Sequence, residues 1–479
     1  MELIDKTNNV IVKLALLIGI IGIMIAGISG NILVVGIIAI LPIMILFMYY
    51  SFNNPIIFLY FLVVINYLIM GVTRYVNIPK VSIVMDAILV FTLIIICTNG
   101  IRKKTVKWRD LNCSLCVGTF IWSIYCIFEI VNPTADLYAW VATKNLIYNA
   151  LFVSVITILV MKKRAYLRPF IYIFAVLSLL AVLKTFMQKY VGFDAAEFYW
   201  LHVSGGAKTH IISSGIRYFS IFTDASNMGS NMGYSAFFLG IIGLYCSNHI
   251  ERIFFFGISF LCLYALMVSG TRGAVIVPIG GIAAYAVLTK SVKLMIISSI
   301  GLIAIYVFFA LTMIGQSNAG IRRMRSAFSP NDDPSYMVRV NNQAKLSVHM
   351  NGKWFGEGLG LSGVENQKHS MRFTTSIPSD SWLVKIWVET GVVGLTLYLI
   401  ILFVIFLNCT YITLFKVQDK QVIGLFIAII GGSFGLTLSS YGNLFFGQYP
   451  THYMVYFGFG IVMNYKYFVK NKDDNKYLY

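Results

Sequence analysis

The sequence predicts an all-α polytopic membrane protein of about fourteen transmembrane helices with a large extracytoplasmic loop. Three observations carry that prediction. Of 479 residues, 58% are hydrophobic and only 12% are charged, whereas a soluble domain of this size carries about 25% charged residues to cover its surface. Apolar runs long enough to cross a bilayer, roughly 20 residues each, recur from end to end. Lys and Arg concentrate in alternate connections, as cytoplasmic loops collect them.

The elements follow in order. The first apolar run, Ile11 to Gly30, lacks an Ala-x-Ala-like exit, and a second run at 32–51 follows at once. It therefore reads as a retained helix and not as a cleaved signal peptide. Further spans lie at 55–72, 81–98, 113–131, 145–161 and 169–187. A long connection leads to 229–247, 252–269, 273–289 and 292–314, and a longer one to 391–411, 421–440 and 451–468. Backbone groups in lipid must be satisfied within the segment, so each span is a helix, and the period-two alternation of a membrane barrel is absent.

Placing the N-terminus in the cytoplasm puts one set of loops there. These carry Arg102, Lys103, Lys104, Lys107 and Arg109; Lys162, Lys163, Arg164 and Arg168; Lys290 and Lys293; Lys416 and Lys420. The tail adds Lys466, Lys470, Lys472 and Lys476, while short loops on the other side hold Arg74, Lys80, Lys144 and Arg272. Both termini are expected in the cytoplasm of a multi-pass protein. The formal charge of +18 is then that of a lipid-embedded protein's inner loops. No basic, aromatic-interleaved soluble domain is present to bind nucleic acid. The seven cysteines lie within or at the ends of apolar runs, so no disulfide framework is expected. Cys113-x-x-Cys116 has no second pair to complete a metal site, and no His-x-x-x-His or His-Glu-x-x-His spacing occurs.

Two outer segments are too long to be connectors: Gln188 to about Met228, and about Gly315 to Ser381. Loops beyond about 15 residues are usually functional or disordered. Trp200, Trp354 and Phe355 favour ordered lids or small caps. The stretch Asp380 to Glu389 has apolar residues at helical spacing beside Lys385 and Glu389, and reads as an interfacial helix feeding the next span. No transporter-type internal repeat is visible.

Chemistry-bearing residues collect on this outer side. Arg272 sits where one span ends and the next begins, and Arg217 lies near the end of the first long loop. The second loop holds Arg322, Arg323, Arg325, Arg339, Lys345, Lys353, Lys368 and Arg372 against Asp332, Asp333, Glu357, Glu365 and Asp380, and so is net positive. A solvated basic cap is one reading. An anion site is the other, because guanidinium groups fork onto phosphate oxygens in fixed geometry. His202, His210, His349, His369 and His452 map to the outer side, where a neutral imidazole serves as a base near pH 7. Gly356-Glu-Gly-Leu-Gly360 has the glycine content of a phosphate-cradling loop without its strand-to-helix context. Asp86 and Glu129, at span depth, are too few for a coupled ion path.

Taken in order, four pieces resemble the O-antigen ligase and polymerase family of bacterial surface-glycan assembly. They are Gly215-Ile-Arg-Tyr-Phe-Ser-Ile-Phe-Thr-Asp-Ala-Ser-Asn-Met-Gly229, with its Asp224-x-x-Asn227 turn; Ser269-Gly-Thr-Arg-Gly-Ala274; Phe355-Gly-Glu-Gly-Leu-Gly360; and the helix from Ser379 to Leu395, with its Glu389-x-Gly-x-x-Gly ending. The likeness covers roughly 144–411. It divides the chain into N-terminal helices at 1–143, a catalytic region at 144–411 with outer loops 188–228 and 315–381, C-terminal helices at 412–468 and a cytoplasmic tail at 469–479.

The resemblance implies a metal-independent glycosyltransferase of the multi-helix membrane (GT-C-like) architecture in the bacterial plasma membrane. It would need no cofactor and would take a polyprenyl-diphosphate-linked glycan donor and a glycan acceptor, with a chain-length regulator protein as partner. Arg217, Arg272 and Arg339 would hold the diphosphate, with Asp224, Asn227 and Glu389 in support. Family ligases carry a His-Asn pair just before the interfacial helix, where this chain has Ser379-Asp380. The base is then Asp380 or His369, and the departure favours a polymerase of lipid-linked repeat units over a ligase onto lipid A core or protein. A non-enzymatic flippase is the third reading, and it calls for charged central helices that this chain lacks.

Overall fold

The computed structural model describes residues 46–76, 81–103, 106–212, 215–317, 319–328 and 334–469. The expected span 11–30, most of 32–51 and the 470–479 tail lie outside the described residues. Helices α1 (Pro55–Val72), α2 (Val81–Lys103), α3 (Ser114–Phe128), α4 (Lys144–Val160) and α5 (Leu167–Phe186) lead to the first long loop, which holds the short α6 (Ala195–His202). Then come α7 (Ala225–Tyr245), α8 (His249–Ser269), α9 (Ile276–Leu288) and α10 (Val292–Tyr306). The second loop carries α11 (Ala319–Arg325) and α12 (Pro334–His349), and α13 (Trp382–Tyr411), α14 (Lys420–Ser439) and α15 (Thr451–Met463) complete the fold. Among the described residues, the one ladder is a two-residue antiparallel pair in the first long loop, Ile211–Ile212 against Gly215–Ile216.

Nine helices among the described residues are long and apolar enough to cross a membrane, fewer than the expected fourteen. Part of the difference lies in the two N-terminal runs outside the described residues. The rest lies in α7, α9 and α15, which are too polar or too short to qualify. Burial explains them. Every residue of α15 and most of α7 are buried inside the protein, so they face other helices and not lipid. Small and polar side chains are useful there because they let backbones approach and hydrogen-bond across helices. Asn231 of α7 donates to Thr451 at 2.8 Å, and Ser178 of α5 meets Ser235 at 3.0 Å. By contrast, none of the α10 span is buried.

The connections segregate to two ends, as alternating spans require. At one end, ion pairs join Arg164 to Asp419 (2.9 Å), Arg168 to Glu251 (2.6 Å), and Asp110 to Lys162 and Lys466 (2.6 and 2.7 Å). At the other, the cap end, both long loops interlock with residues 129–143 and 440–450. Asn132 donates to Phe355 O, Thr134 to Glu357 O, Arg372 to Thr134 O and Thr223 to Gln448 Oε1. Arg74, stacked 4.9 Å from the Trp200 ring and 4.3 Å from Phe219, donates to the Ser220 and Phe222 carbonyls and so pins the first loop.

α13 is broken at Gly391, whose φ of 68° lies in the left-handed region. The break separates the segment beginning at Trp382 from the apolar run that follows. The polar groups freed by the break are satisfied by the second loop: Val393 N donates to Trp354 O (3.2 Å), and Glu357 N and Gly358 N donate to Val388 O and Glu389 O (2.9 and 3.0 Å). This contact also accounts for Gly356-Glu-Gly-Leu-Gly360. A Cβ at Gly356 would run into the α13 backbone, and one at Gly360 into Ala139 O. The glycines permit close packing and do not cradle a phosphate.

Candidate active site: an arginine-lined cavity at the cap end

Arg272 is placed by the turn that joins α8 to α9. α8 ends at Gly270 in the left-handed conformation, with φ of 61°, and a helical turn from Arg272 to Val275 starts the next element. A side chain at Gly270 would press on the Arg323 guanidinium, and one at Gly273 would collide with the Asn443 amide. The Gly-Thr-Arg-Gly run is thus built for close approach. Thr271 adds a relay: it donates to Ala225 O and accepts from Arg217 Nη2, both at 2.9 Å.

Arg217 leaves the small hairpin of the first loop, its own N–H donating to His210 O at 2.8 Å. Its Nε is buried without a hydrogen-bond partner. Burial pulls its pKa down, Asp224 opposes that, and the neighbouring Arg272 and Arg339 charges pull it down further. Arg339 arrives from α12 with its Nε also unpartnered, and Arg272 donates to Ser326 Oγ at 3.0 Å.

Together these side chains line one cavity of about 420 Å³. Arg217, Arg272, Arg323 and Arg339 converge there with Tyr336, Gln343 and Asn443, and among the described residues no Asp or Glu lines it. The lower wall is apolar, from Ile276 and Ile279 of α9 and Leu438 of α14. One turn deeper, Ala283, Ala284, Phe434 and Thr437 begin an apolar groove of about 750 Å³ between α9, α13 and α14, which continues along Val287, Phe403 and Phe406. The arrangement matches a bulky anion joined to a hydrocarbon chain.

The other expected site residues fall into three groups. Asp380 is exposed and lines a narrow crevice with Arg339 and Gln343, both of which also line the arginine cavity. Asp224 and Asn227 build the site from behind. Asp224 caps α7 by accepting from Ser226 N and Asn227 N (2.7 and 2.9 Å), and buried Asn227 donates to Tyr449 O at 2.8 Å. His369 and Glu389 line neither the cavity nor the crevice. His369 is exposed on the second loop, whereas Glu389 is fully buried at the α13 break, 3.8 Å from Lys385.

The remaining histidines divide similarly. His210 is held neutral by burial, with Nδ1 at Gly206 O and Nε2 accepting from Ala225 N. His349 pairs with Glu357 at 2.8 Å. Asp86 pairs with Lys144 at 2.5 Å, which ties α2 to α4.

Sequence reasoning noted Arg323 only as one of many loop cations, and missed Asn443, Gln343 and Tyr336. Nothing local distinguishes Asn443, which sits in a Tyr-Gly-Asn turn. Its role comes from contact with Ser226, with Trp382 N (3.2 Å) and with Gly273, all far away in sequence.

The fold and cavity define a polytopic helical membrane protein with a basic, lipid-adjacent site under its longest loops. Residues 257–399 match the family model described as O-Antigen ligase, which supports a likeness of this stretch to the O-antigen ligase and polymerase family. That match implies a glycosyltransferase-like activity in surface polysaccharide synthesis, acting on lipid-linked glycan in a membrane. The matched stretch contains Arg272, Arg323 and Arg339, and Arg217 lies before it. No curated protein matches the chain.

Proposed function

We propose that the arginine cavity holds the diphosphate of a polyprenyl-diphosphate-linked glycan, and that the chain polymerises such repeat units at the outer face of the plasma membrane. The observation that carries this reading is the convergence of four arginines in one cavity next to an apolar groove. Breaking the sugar–phosphate bond loads negative charge onto the leaving diphosphate. Fixed cations in a site shielded from water stabilise that charge most in the transition state. The guanidinium groups supply the neutralisation that a divalent ion supplies in other phosphate chemistry, so turnover is expected to persist in a chelator. The polyprenyl chain lies along the groove.

The acceptor hydroxyl approaches from the crevice, where Asp380 takes its proton. As that hydroxyl oxygen attacks the anomeric carbon, the bond to the diphosphate oxygen breaks and the diphosphate leaves. Ser379-Asp380 in the place of the family ligases' His-Asn pair supports growth of a glycan over transfer to lipid A core or protein. The multi-helix glycosyltransferase architecture and a chain-length regulator as partner belong to the same reading. The positive-inside bias supports the outer placement of the cap end and cytoplasmic termini.

The test is transfer from purified lipid-diphosphate repeat units, with and without chelator, by the wild type and by Arg217→Ala, Arg272→Ala and Arg323→Ala. Each variant is expected to remain in the membrane and lose about 100-fold or more in turnover, the scale for removing one fixed donor from a developing oxyanion. Wild-type glycan length from all three sinks the diphosphate site, and loss of turnover on chelation sinks metal independence.

A further inference from the structure

The segment that lines the arginine cavity with Tyr441, Gly442 and Asn443 also lines a second, separate cavity, with Gly447 and, at the start of α15, His452. This chamber has a volume of about 170 Å³, and its other walls include Asn145 and Asn149 at the head of α4 and Trp382 and Lys385 of α13. The transfer mechanism uses none of them.

The polar atoms are unusual for a buried place. His452 is 7% exposed. Its Nδ1 lies 3.3 Å from Phe446 O, so Nδ1 carries the proton, and Nε2 presents a lone pair with no hydrogen-bond partner. The amide oxygens of Asn145 and Asn149 are also unpartnered, and Asn149 is 2% exposed. Buried acceptors left unpaired are costly, so a ligand that brings donors is favoured. A phosphate or carboxylate brings only acceptors, which suit the unpartnered Tyr449 Oη of the same lining but leave these three lone pairs unpaired, whereas a hydroxyl both donates and accepts. The one cation of the lining, Lys385, is already engaged by Glu365 and Glu389 at 3.5 and 3.8 Å, so it is not left to attract an anion. Trp382 turns its indole N–H away to Tyr398 Oη at 3.0 Å, and its ring forms an aromatic wall. A neutral ring bearing hydroxyl groups satisfies all of these conditions. The volume is several times the roughly 30 Å³ that one water occupies, which leaves room for a single sugar ring.

We propose that this chamber binds one uncharged sugar residue of the glycan, whose hydroxyl groups donate to His452 Nε2 and to the Asn145 and Asn149 amide oxygens. The proposal rests on the glycan-transfer reading and adds a sugar subsite distinct from the diphosphate site.

The experiment uses the full chain in lipid nanodiscs and two probes: polyprenyl diphosphate without sugar, and the oligosaccharide repeat unit released by mild acid from the producing cell's own polysaccharide. His452→Phe and Asn149→Leu are each expected to weaken the oligosaccharide about tenfold, the scale of a lost buried hydrogen bond, while binding polyprenyl diphosphate like the wild type. Arg272→Gln is expected to show the reverse pattern. Wild-type affinity of both chamber variants for the oligosaccharide overturns the proposal, as does a wild type that binds polyprenyl diphosphate but not the oligosaccharide. If both chamber variants lose both probes, the decision passes to Asn145→Leu, which removes the acceptor oxygen at nearly unchanged size. Selective loss of the oligosaccharide there supports the subsite, and any other result overturns it. Should Arg272→Gln keep polyprenyl diphosphate while the chamber variants lose the oligosaccharide, the diphosphate assignment fails and the subsite stands.

Discussion

At the scale of single residues, the cavity shows why charge alone does not mark a site. Arg322 and Arg325 stand on the same short helix as Arg323, yet they donate to Gln316 O and to Phe309 O at 3.0 and 3.2 Å, holding loop backbone. Arg323 lines the cavity instead. Asp380 and His369 are separated in the same way, because Asp380 reaches the crevice beside Arg339 while His369 lies outside it. Asp380→Asn is therefore expected to lower turnover about 100-fold or more, the usual worth of a positioned general base. His369→Ala should stay within about twofold of wild type on the same scale. Initial rates with saturating donor decide between them, and the opposite ranking would move the base to the loop.

At the scale of elements, the second loop is held down by a clasp at Glu357. Its carboxylate takes His349 at 2.8 Å, Lys353, and Arg372 at 3.6 Å. Burial pushes the Glu357 pKa up, but hydrogen bonds from Lys353 and His349 outweigh it and hold the group below its ordinary 4.5. A depressed carboxylate contributes stability that is fully present above its ordinary value and lost as pH falls through the lower, folded value. Proteolysis or hydrogen exchange of residues 350–372 should show the loop docked at pH 7 and loosening only below about pH 4.5. Glu357→Gln should loosen it at pH 7, and equal protection at both pH values in the wild type would dismiss the clasp. Gly360 tests the same docking by sterics. With φ of 78° and Ala139 O in the way of a Cβ, Gly360→Val should destabilise the cap by about 1 kcal/mol or more, read as a lower melting temperature in detergent.

At the scale of the whole molecule, the two ends differ in kind. Ion pairs occur at both, Arg164 with Asp419 at one and Lys184 with Asp194 at the other, but the second is covered by both long loops and holds the arginine cavity and the polar chamber. Charge bias assigns the Arg164 end to the cytoplasm. A membrane-impermeant thiol reagent on intact cells should therefore label Lys208→Cys and spare Lys420→Cys, both exposed positions. The reverse pattern would invert the topology and place the cavity at the wrong leaflet for surface glycan.

The sequence by itself indicated the membrane class, the positions of the long described helices and the helix leading into the α13 run, and it singled out Arg217 and Arg272 as candidates. Those features are local: apolar length, charge between spans, and glycines flanking an arginine are all readable within a few dozen residues. Only the tertiary structure decided that Arg323 lines the same cavity as Arg217, Arg272 and Arg339, and that α7 and α15 are buried where apolarity is not required. It alone showed that Gly356 to Gly360 packs against α13 and that Asn443 and His452 line neighbouring cavities. Each of these depends on segments separated by up to two hundred residues or more, as in Asn443 against Ser226. Which side chains share a cavity is set by helix packing, and no local pattern in the chain encodes that meeting.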